Sequence, residues 1–210
     1  MTSPLLFTGG SLETNAYLLP GKEKGSWIVF DAPEGLADEA RERGWKIEAL
    51  VLTHGHFDHI WDAGLIEKEH NCPVYLHPAD RILAENIDYL SMFGIGARFP
   101  LVRTLTDLPV PAQGAMPWTL GERSFTLFHI PGHSPGSVAF YEPAAGQILG
   151  GDILFAGGVG RWDLPGGSQK SLISGIKKHL LPLPDDVRVY PGHGPSTTIG
   201  EERRGNPYLA

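Results

Sequence analysis

Thr53-His54-Gly55-His56-Phe57-Asp58-His59 is the stretch on which the reading of this 210-residue chain turns. It brings three imidazoles and a carboxylate together directly after the apolar run Ile47–Leu52, which reads as a buried strand. Beyond it, Ile60, Trp61, Ala63, Gly64, Leu65 and Ile66 carry a helix-like apolar pattern, so the cluster sits at a strand-to-helix junction. Such junctions are where α/β proteins keep their sites. Alternate residues of an extended segment share a face, so His54, His56 and Asp58 can converge while the turn of the chain brings in His59 from another side. Gly55, lacking a Cβ, is expected to let the backbone bend closely around a bound ion.

A single one of the chain's nine histidines needs no function beyond a hydrogen bond or solvent. Three beside an aspartate are different. Protonated, they would repel one another; neutral and buried near a carboxylate, each would need its own partner. A bound cation resolves both problems.

The stretch resembles the HxHxDH signature of the metallo-β-lactamase-fold hydrolases, and the rest of that family's ligand set follows in order. His133 lies in Pro131-Gly132-His133-Ser134-Pro135-Gly136, Asp152 in Gly150-Gly151-Asp152-Ile153-Leu154, and His193 in Tyr190-Pro191-Gly192-His193-Gly194. Each follows a strand-like run: Phe125 to Ile130, Gln147 to Leu149 and Val187 to Tyr190. The resemblance covers nearly the whole chain and implies an α/β fold, the four-layer αββα sandwich, with a metal in the groove between its sheets. It also implies roles. His54, His56 and His133 would hold one divalent ion, Asp58, His59 and His193 a second, and Asp152 would bridge them. Imidazole and carboxylate donors without thiolate suit Zn, and also Fe or Mn. A bridging hydroxide would be the nucleophile, and Asp58 would have a second, catalytic role in aiming it.

Length and composition agree with one domain over residues 1–210. A chain of 22.8 kDa buries roughly 70% of its unfolded surface. A net charge of -7 argues against nucleic-acid partners, and the single cysteine, Cys72, excludes an intramolecular disulfide. Cys72 reads as structural. The N-terminus has neither a basic leader nor a long apolar run, and no segment approaches a membrane span, which points to a cytoplasmic protein with no membrane partner.

Pattern reading places strands at Leu5–Phe7, Ala16–Leu19 and Trp27–Phe30, with a turn at Pro20-Gly21. A charged helix follows over Leu36–Arg43, ended by Gly44. Val74–Leu76 reads as a strand, Pro78–Leu90 as a helix begun by proline, and Met92–Pro109 as an irregular loop that packs down. From Phe125 the chain reads as strand, His133 loop, strand Ser137–Tyr141, turn Pro143–Gly146, strand Gln147–Leu149 and Asp152 loop. An amphipathic helix over Ser168–Leu181 precedes the last strand. His70, His77, His129 and His179 fall outside the motifs and read as structural or solvent-facing.

Gly160-Arg161-Trp162-Asp163-Leu164-Pro165-Gly166-Gly167 is similar to a segment of the short glyoxalase II-like (hydroxyacylglutathione hydrolase-like) members, as are the 197–204 run and Asn206-Pro207. Trp162 departs from the small hydroxyl residue usual there. Arg161 and Trp162 are the candidate substrate contacts, although Arg161 and Asp163 could simply pair with each other. The helical glutathione-binding domain of full-length glyoxalase II has no counterpart in the sequence, which leads us to expect weak glutathione recognition. The activity implied is hydrolysis of S-lactoylglutathione or related small-molecule acyl thioesters. A thioester also suits the residues, because a thiolate leaves without a general acid and no extra acid motif is evident. Two alternatives stand beside it: the mononuclear iron persulfide dioxygenases of the same superfamily, and a non-enzymatic metal-dependent binding module.

Overall fold

A computed structural model describes residues 3–86, 100–109 and 114–210. The chain divides into two compact units, Thr2–Leu108 and Pro109–Ala210. Each has its own sheet and its own apolar core.

The first unit is built on a six-stranded sheet in sequential order: β1 (Leu5–Gly9), β2 (Thr14–Pro20), β3 (Ser26–Phe30), β4 (Lys46–Val51), β5 (Val74–Leu76) and β6 (Leu105–Asp107). β1, β2 and β3 pair antiparallel, whereas β3 through β6 run parallel. Parallel neighbours need crossovers, and these are α1 (Leu36–Arg43) between β3 and β4, then α2 (Phe57–Ile60) and α3 (Ala63–His70) between β4 and β5. Leu18, Val29, Leu50 and Leu52 pack with Leu36 and Ala40 of α1 and Ile66 of α3. α1 ends as expected, with Gly44 at a left-handed φ of 65° donating back to Ala40 and Arg41. Its start lacks a side-chain cap of its own, since Gly35 stands there. Asp62, between α2 and α3, supplies one from a distance by accepting from the Ala37 N–H at 2.9 Å. Burial pushes the Asp62 carboxyl above its ordinary range, against the backbone N–H groups of Ala37 and Gly35 that pull it down.

The expected long helix at Pro78 is shorter: a 3₁₀ turn at Pro78–Asp80 leads into α4 (Arg81–Glu85), and Asn86 leaves it with extended backbone. The remainder, 87–90, lies outside the described residues, as does the 92–99 part of the expected loop. β6 is a strand the pattern did not suggest. Three residues are too short to show alternation, and its partner β5 supplies the pairing.

The second unit carries a six-stranded sheet ordered β14-β13-β10-β9-β8-β7. Its strands are β7 (Gly114–Leu120), β8 (Arg123–His129), β9 (Val138–Glu142), β10 (Gln147–Gly151), β13 (Arg188–Pro191) and β14 (Thr197–Thr198). Only β10 and β13 pair parallel. A two-stranded hairpin, β11 (Leu154–Phe155) and β12 (Gly158–Val159), stands apart from the main sheet. α5 (Gln169–Gly175) starts at Ser168, which caps the Ser171 N–H, and continues as a π-helical turn at Ile176–Leu180. Leu172 and Ile176 from this helix pack on Ala139, Ile148 and Val189, joined by Ile199 of α6 (Ile199–Gly205). β7 escaped the sequence reading because Pro117 interrupts it. As the edge strand it loses no ladder bond that the sheet requires. No helix among the described residues is long and apolar enough to cross a membrane.

Cys72 is buried, and burial pushes its thiol up to about 11. We expect it to resist a thiol reagent at pH 8 in the native protein and to label once per chain in denaturant. Fast native labelling would show that the first unit's core opens far more readily than its packing implies.

Candidate metal centre

Strand ends set up the site in each unit. In the first, β3 and β4 are parallel neighbours, so Asp31 and the 53–59 stretch leave the same edge of the sheet. Thr14 begins the antiparallel β2 at that edge too. The crossing of these segments produces a network around Asp31, a buried residue whose φ of 63° lies in the left-handed region that costs a non-glycine residue energy. Its Oδ1 accepts from the Thr53 N–H at 2.7 Å, while Oδ2 faces the Thr53 hydroxyl at 2.8 Å and His59 Nδ1 at 2.8 Å. Since the Thr53 hydroxyl donates to Asp31, its oxygen accepts from His54 Nδ1 at 3.1 Å. His54 and His59 are thereby both held with a proton on Nδ1 and Nε2 left for a metal, the tautomer a histidine ligand needs.

Asp58 is held separately: its Oδ2 accepts from the Thr14 hydroxyl at 2.8 Å and stands 3.4 Å from His59 Nε2. The rings of His54 and His56 meet edge-on with centroids 4.8 Å apart. Gly55 has a reason different from the expected one. A Cβ there would fall 2.8 Å from the Asp80 carbonyl oxygen and 2.9 Å from Leu83 Cβ, so the glycine admits the segment after β5 rather than an ion. Asp80 fixes that approach by accepting from the Gly55 N–H at 2.9 Å.

In the second unit, β8 and β10 both pair with β9 antiparallel and β10 pairs with β13 parallel, so His133, Asp152 and His193 leave one edge of the sheet. Asp152 Oδ2 stands 3.4 Å from His133 Nε2 and 3.4 Å from His193 Nε2. Two ligands each about 2.0–2.1 Å from one tetrahedral ion stand about 3.3–3.4 Å apart. One carboxylate oxygen at that spacing from two imidazoles is placed as a fellow ligand of each. His133 Nδ1 donates to the Arg161 carbonyl oxygen at 2.8 Å, again leaving Nε2 for metal. The donor set therefore fits divalent ions in type, tautomer and spacing within each unit.

The two expected substrate contacts sit as follows. Arg161 and Asp163 form a two-pronged, exposed pair at 2.8 and 2.9 Å, and the guanidinium holds Asp163 down to about 2. The Arg161 backbone carbonyl is the atom that meets His133. Trp162 packs on the second unit's core and edge-on against Tyr208, with centroids 6.0 Å apart. Of the other histidines, His77 Nδ1 accepts from the Ala79 N–H and His129 Nε2 bonds the Pro135 carbonyl. Burial lowers the pKa of His70 and of His179.

A model of the metallo-beta-lactamase superfamily matches residues 9–193. The chain belongs to that superfamily. Its α/β fold with two β-sheets is the one expected from the sequence, and it carries divalent-metal binding with it. The chain is 34% identical over 204 residues to the hydroxyacylglutathione hydrolase GloC of Haemophilus influenzae, covering 95% of this chain and 94% of that protein. Among solved structures it is similar to TTHA1623 in a di-iron-bound form, with TM-score 0.82, 40% identity and coverage of 98% and 100%. It is also similar to the BLEG-1 B3 metallo-beta-lactamase, with TM-score 0.85, 34% identity and coverage of 98% of each chain. This is a metal-dependent hydrolase superfamily.

Asp31, Thr53, Thr14 and the Arg161 carbonyl are the site residues the sequence reading missed. Asp31 had a signal, since it directly follows a strand of the parallel set. Asp31→Asn replaces a carboxylate facing three donors with an amide whose NH2 must turn at least one of them away. We expect a 10–100-fold loss of metal affinity, on the scale of other partners that orient metal-binding histidines, measured by competition with a chelator. Unchanged affinity would remove the orienting role.

Proposed function

We propose that the chain is a thioesterase acting on S-lactoylglutathione or related acyl thioesters. The observation that carries the reading is the set of imidazole and carboxylate donors held at ligand spacing, Asp152 Oδ2 3.4 Å from both His133 and His193 and Asp58 Oδ2 3.4 Å from His59. In this reading His54, His56 and His133 hold one divalent ion, Asp58, His59 and His193 hold another, and Asp152 is common to both. Likeness to a hydroxyacylglutathione hydrolase supports the substrate class. Zn, Fe and Mn all suit these donors, and the di-iron form of a relative favours assays with each.

Divalent ions bound there would polarise the acyl carbonyl and lower the pKa of water toward about 7. The protein's own contribution is orientation. Asp58, fixed by Thr14, accepts a hydrogen bond from the attacking water and aims its lone pair at the carbonyl. The C–S bond breaks as the C–O bond forms, giving a carboxylate and a thiol. A thiolate, with a conjugate-acid pKa near 8.5, departs without a general acid, whereas the amide nitrogen of a β-lactam or peptide requires one.

The test is turnover of S-lactoylglutathione by metal-loaded protein in parallel with oxygen uptake on a persulfide. Thioester hydrolysis without oxygen consumption is expected; oxygen-dependent persulfide turnover would replace the reading with the dioxygenase. In the same assay Asp58→Ala should lower kcat by roughly a hundredfold or more, with a smaller change in KM. Near-normal kcat would remove the aiming role.

Arg161, neutralised by Asp163 and exposed, contributes little to binding an anion, about 1 kcal/mol or less. We therefore expect only a few-fold loss in kcat/KM when the glutathione part of the substrate is replaced by N-acetylcysteamine. A loss of about a thousandfold, roughly 4 kcal/mol, would reveal a glutathione site made by other residues.

A further inference from the structure

The chain after His193 carries a buried carboxylate that the reaction does not use. Glu202, on α6, is 3% exposed, and no cationic side chain among the described residues pairs with it. Donors surround it instead. Oε1 accepts from the Thr197 hydroxyl at 2.6 Å, and Oε2 accepts from the Gly157 N–H at 2.9 Å and from Asn206 Nδ2 at 2.7 Å. Asn206 Nδ2 also donates to the Gly158 carbonyl at 2.9 Å. Gly157 lies in the turn of the β11–β12 hairpin and Gly158 begins β12, so a backbone N–H and a backbone carbonyl at that end are held by a helix and its C-cap residue.

That hairpin is the path between two parts of the metal site. It leaves directly from Asp152, and Gly160 closes it with an N–H to the Ile153 carbonyl. Arg161 follows at once, and its carbonyl holds His133. The packing at its base is tight: a Cβ on Gly160 would lie 1.9 Å from the Asp152 carbonyl oxygen and 3.1 Å from His133 Nδ1. Phe155 of the hairpin meets the His193 ring edge-on, with centroids 6.3 Å apart. All three metal-binding side chains of this unit therefore touch the hairpin or its base.

We infer that Glu202 and Asn206 are positioning residues, a clamp that holds the 154–159 hairpin and through it sets the spacing of His133, Asp152 and His193. The inference rests on the metal-centre reading above, but not on the substrate. The clamp is therefore sensitive to which hydrogen bonds survive a substitution more than to side-chain size. In Glu202→Gln the new carbonyl can keep both N–H bonds at the Oε2 position. Its amide can donate to Thr197, whose hydroxyl can turn its proton to Glu201, 3.2 Å away. In Asn206→Asp, an equally conservative change in shape, both donors are lost and a second carboxylate faces Glu202.

The test compares the two variants with wild type, loaded with Co(II), by visible absorption spectrum and by chelator competition, while the melting temperature is recorded on metal-free protein. Glu202→Gln should keep the wild-type spectrum and a metal affinity within about twofold. Asn206→Asp should alter the spectrum and weaken metal binding on the order of tenfold, at the lower end for outer partners of a metal site. Asn206→Ala, which removes the same two bonds and the one from the Tyr208 N–H without adding charge, carries the same expectation if the aspartate variant does not fold. A wild-type spectrum and affinity in an Asn206 variant whose metal-free melting temperature has fallen would overturn the clamp, leaving a residue that only stabilises the fold. Failure of the thioesterase reading would appear separately, as a wild-type protein that binds metal and turns over no thioester.

Discussion

Imidazole nitrogens and carboxylate oxygens held 3.4 Å apart within each unit gain nothing from one another without a cation. Something else must hold them. Here the other end of three rings is tied: His59 to Asp31, His54 to Thr53 and through it to Asp31, and His133 to the Arg161 carbonyl. Asp58 is tied by Thr14. Burial strengthens these bonds and raises the cost of losing one, so the outer partners fix ring orientation before any metal arrives. The left-handed backbone of Asp31 is a local cost accepted for that arrangement.

The sheets make it possible to place so many outer partners. Parallel pairing of β3 with β4, and of β10 with β13, sends successive loops off the same edge of each sheet. Antiparallel neighbours then bring strand starts to that edge, which is how Thr14, far from Asp58 in sequence, reaches it. The glycines near the site serve close approach of chain segments. Gly55 admits the segment of Asp80, and Gly160 admits the hairpin base beneath Asp152 and His133.

The ligands were legible because metal chemistry demands residue types that are rare in clusters, and their order along the chain is distinctive. α1 was legible to the residue, because its charged face and terminal Gly44 are local signals. Partners of the ligands were not. Asp31 and Thr14 act across the sheet, and apart from Asp31's place directly after a strand nothing in their immediate sequence distinguishes them from turn residues. Arg161 attracted attention for its charge, yet that charge is spent on Asp163 and its backbone oxygen does the orienting. The pair at 197–206 could be recognised as a motif before its geometry gave it a reason: Thr197, Glu202 and Asn206 close around the hairpin tip. β6 and β7 were missed because one is too short to show a period and the other contains proline at an edge.

In the proposed reading Asp152 is shared by two ions. Anomalous diffraction from crystals grown with excess Zn or Mn tests it most directly. The account predicts two metal peaks per chain, both within coordination distance of the Asp152 carboxylate. A single peak under those conditions, with His59 and His193 outside its coordination shell, would contradict it.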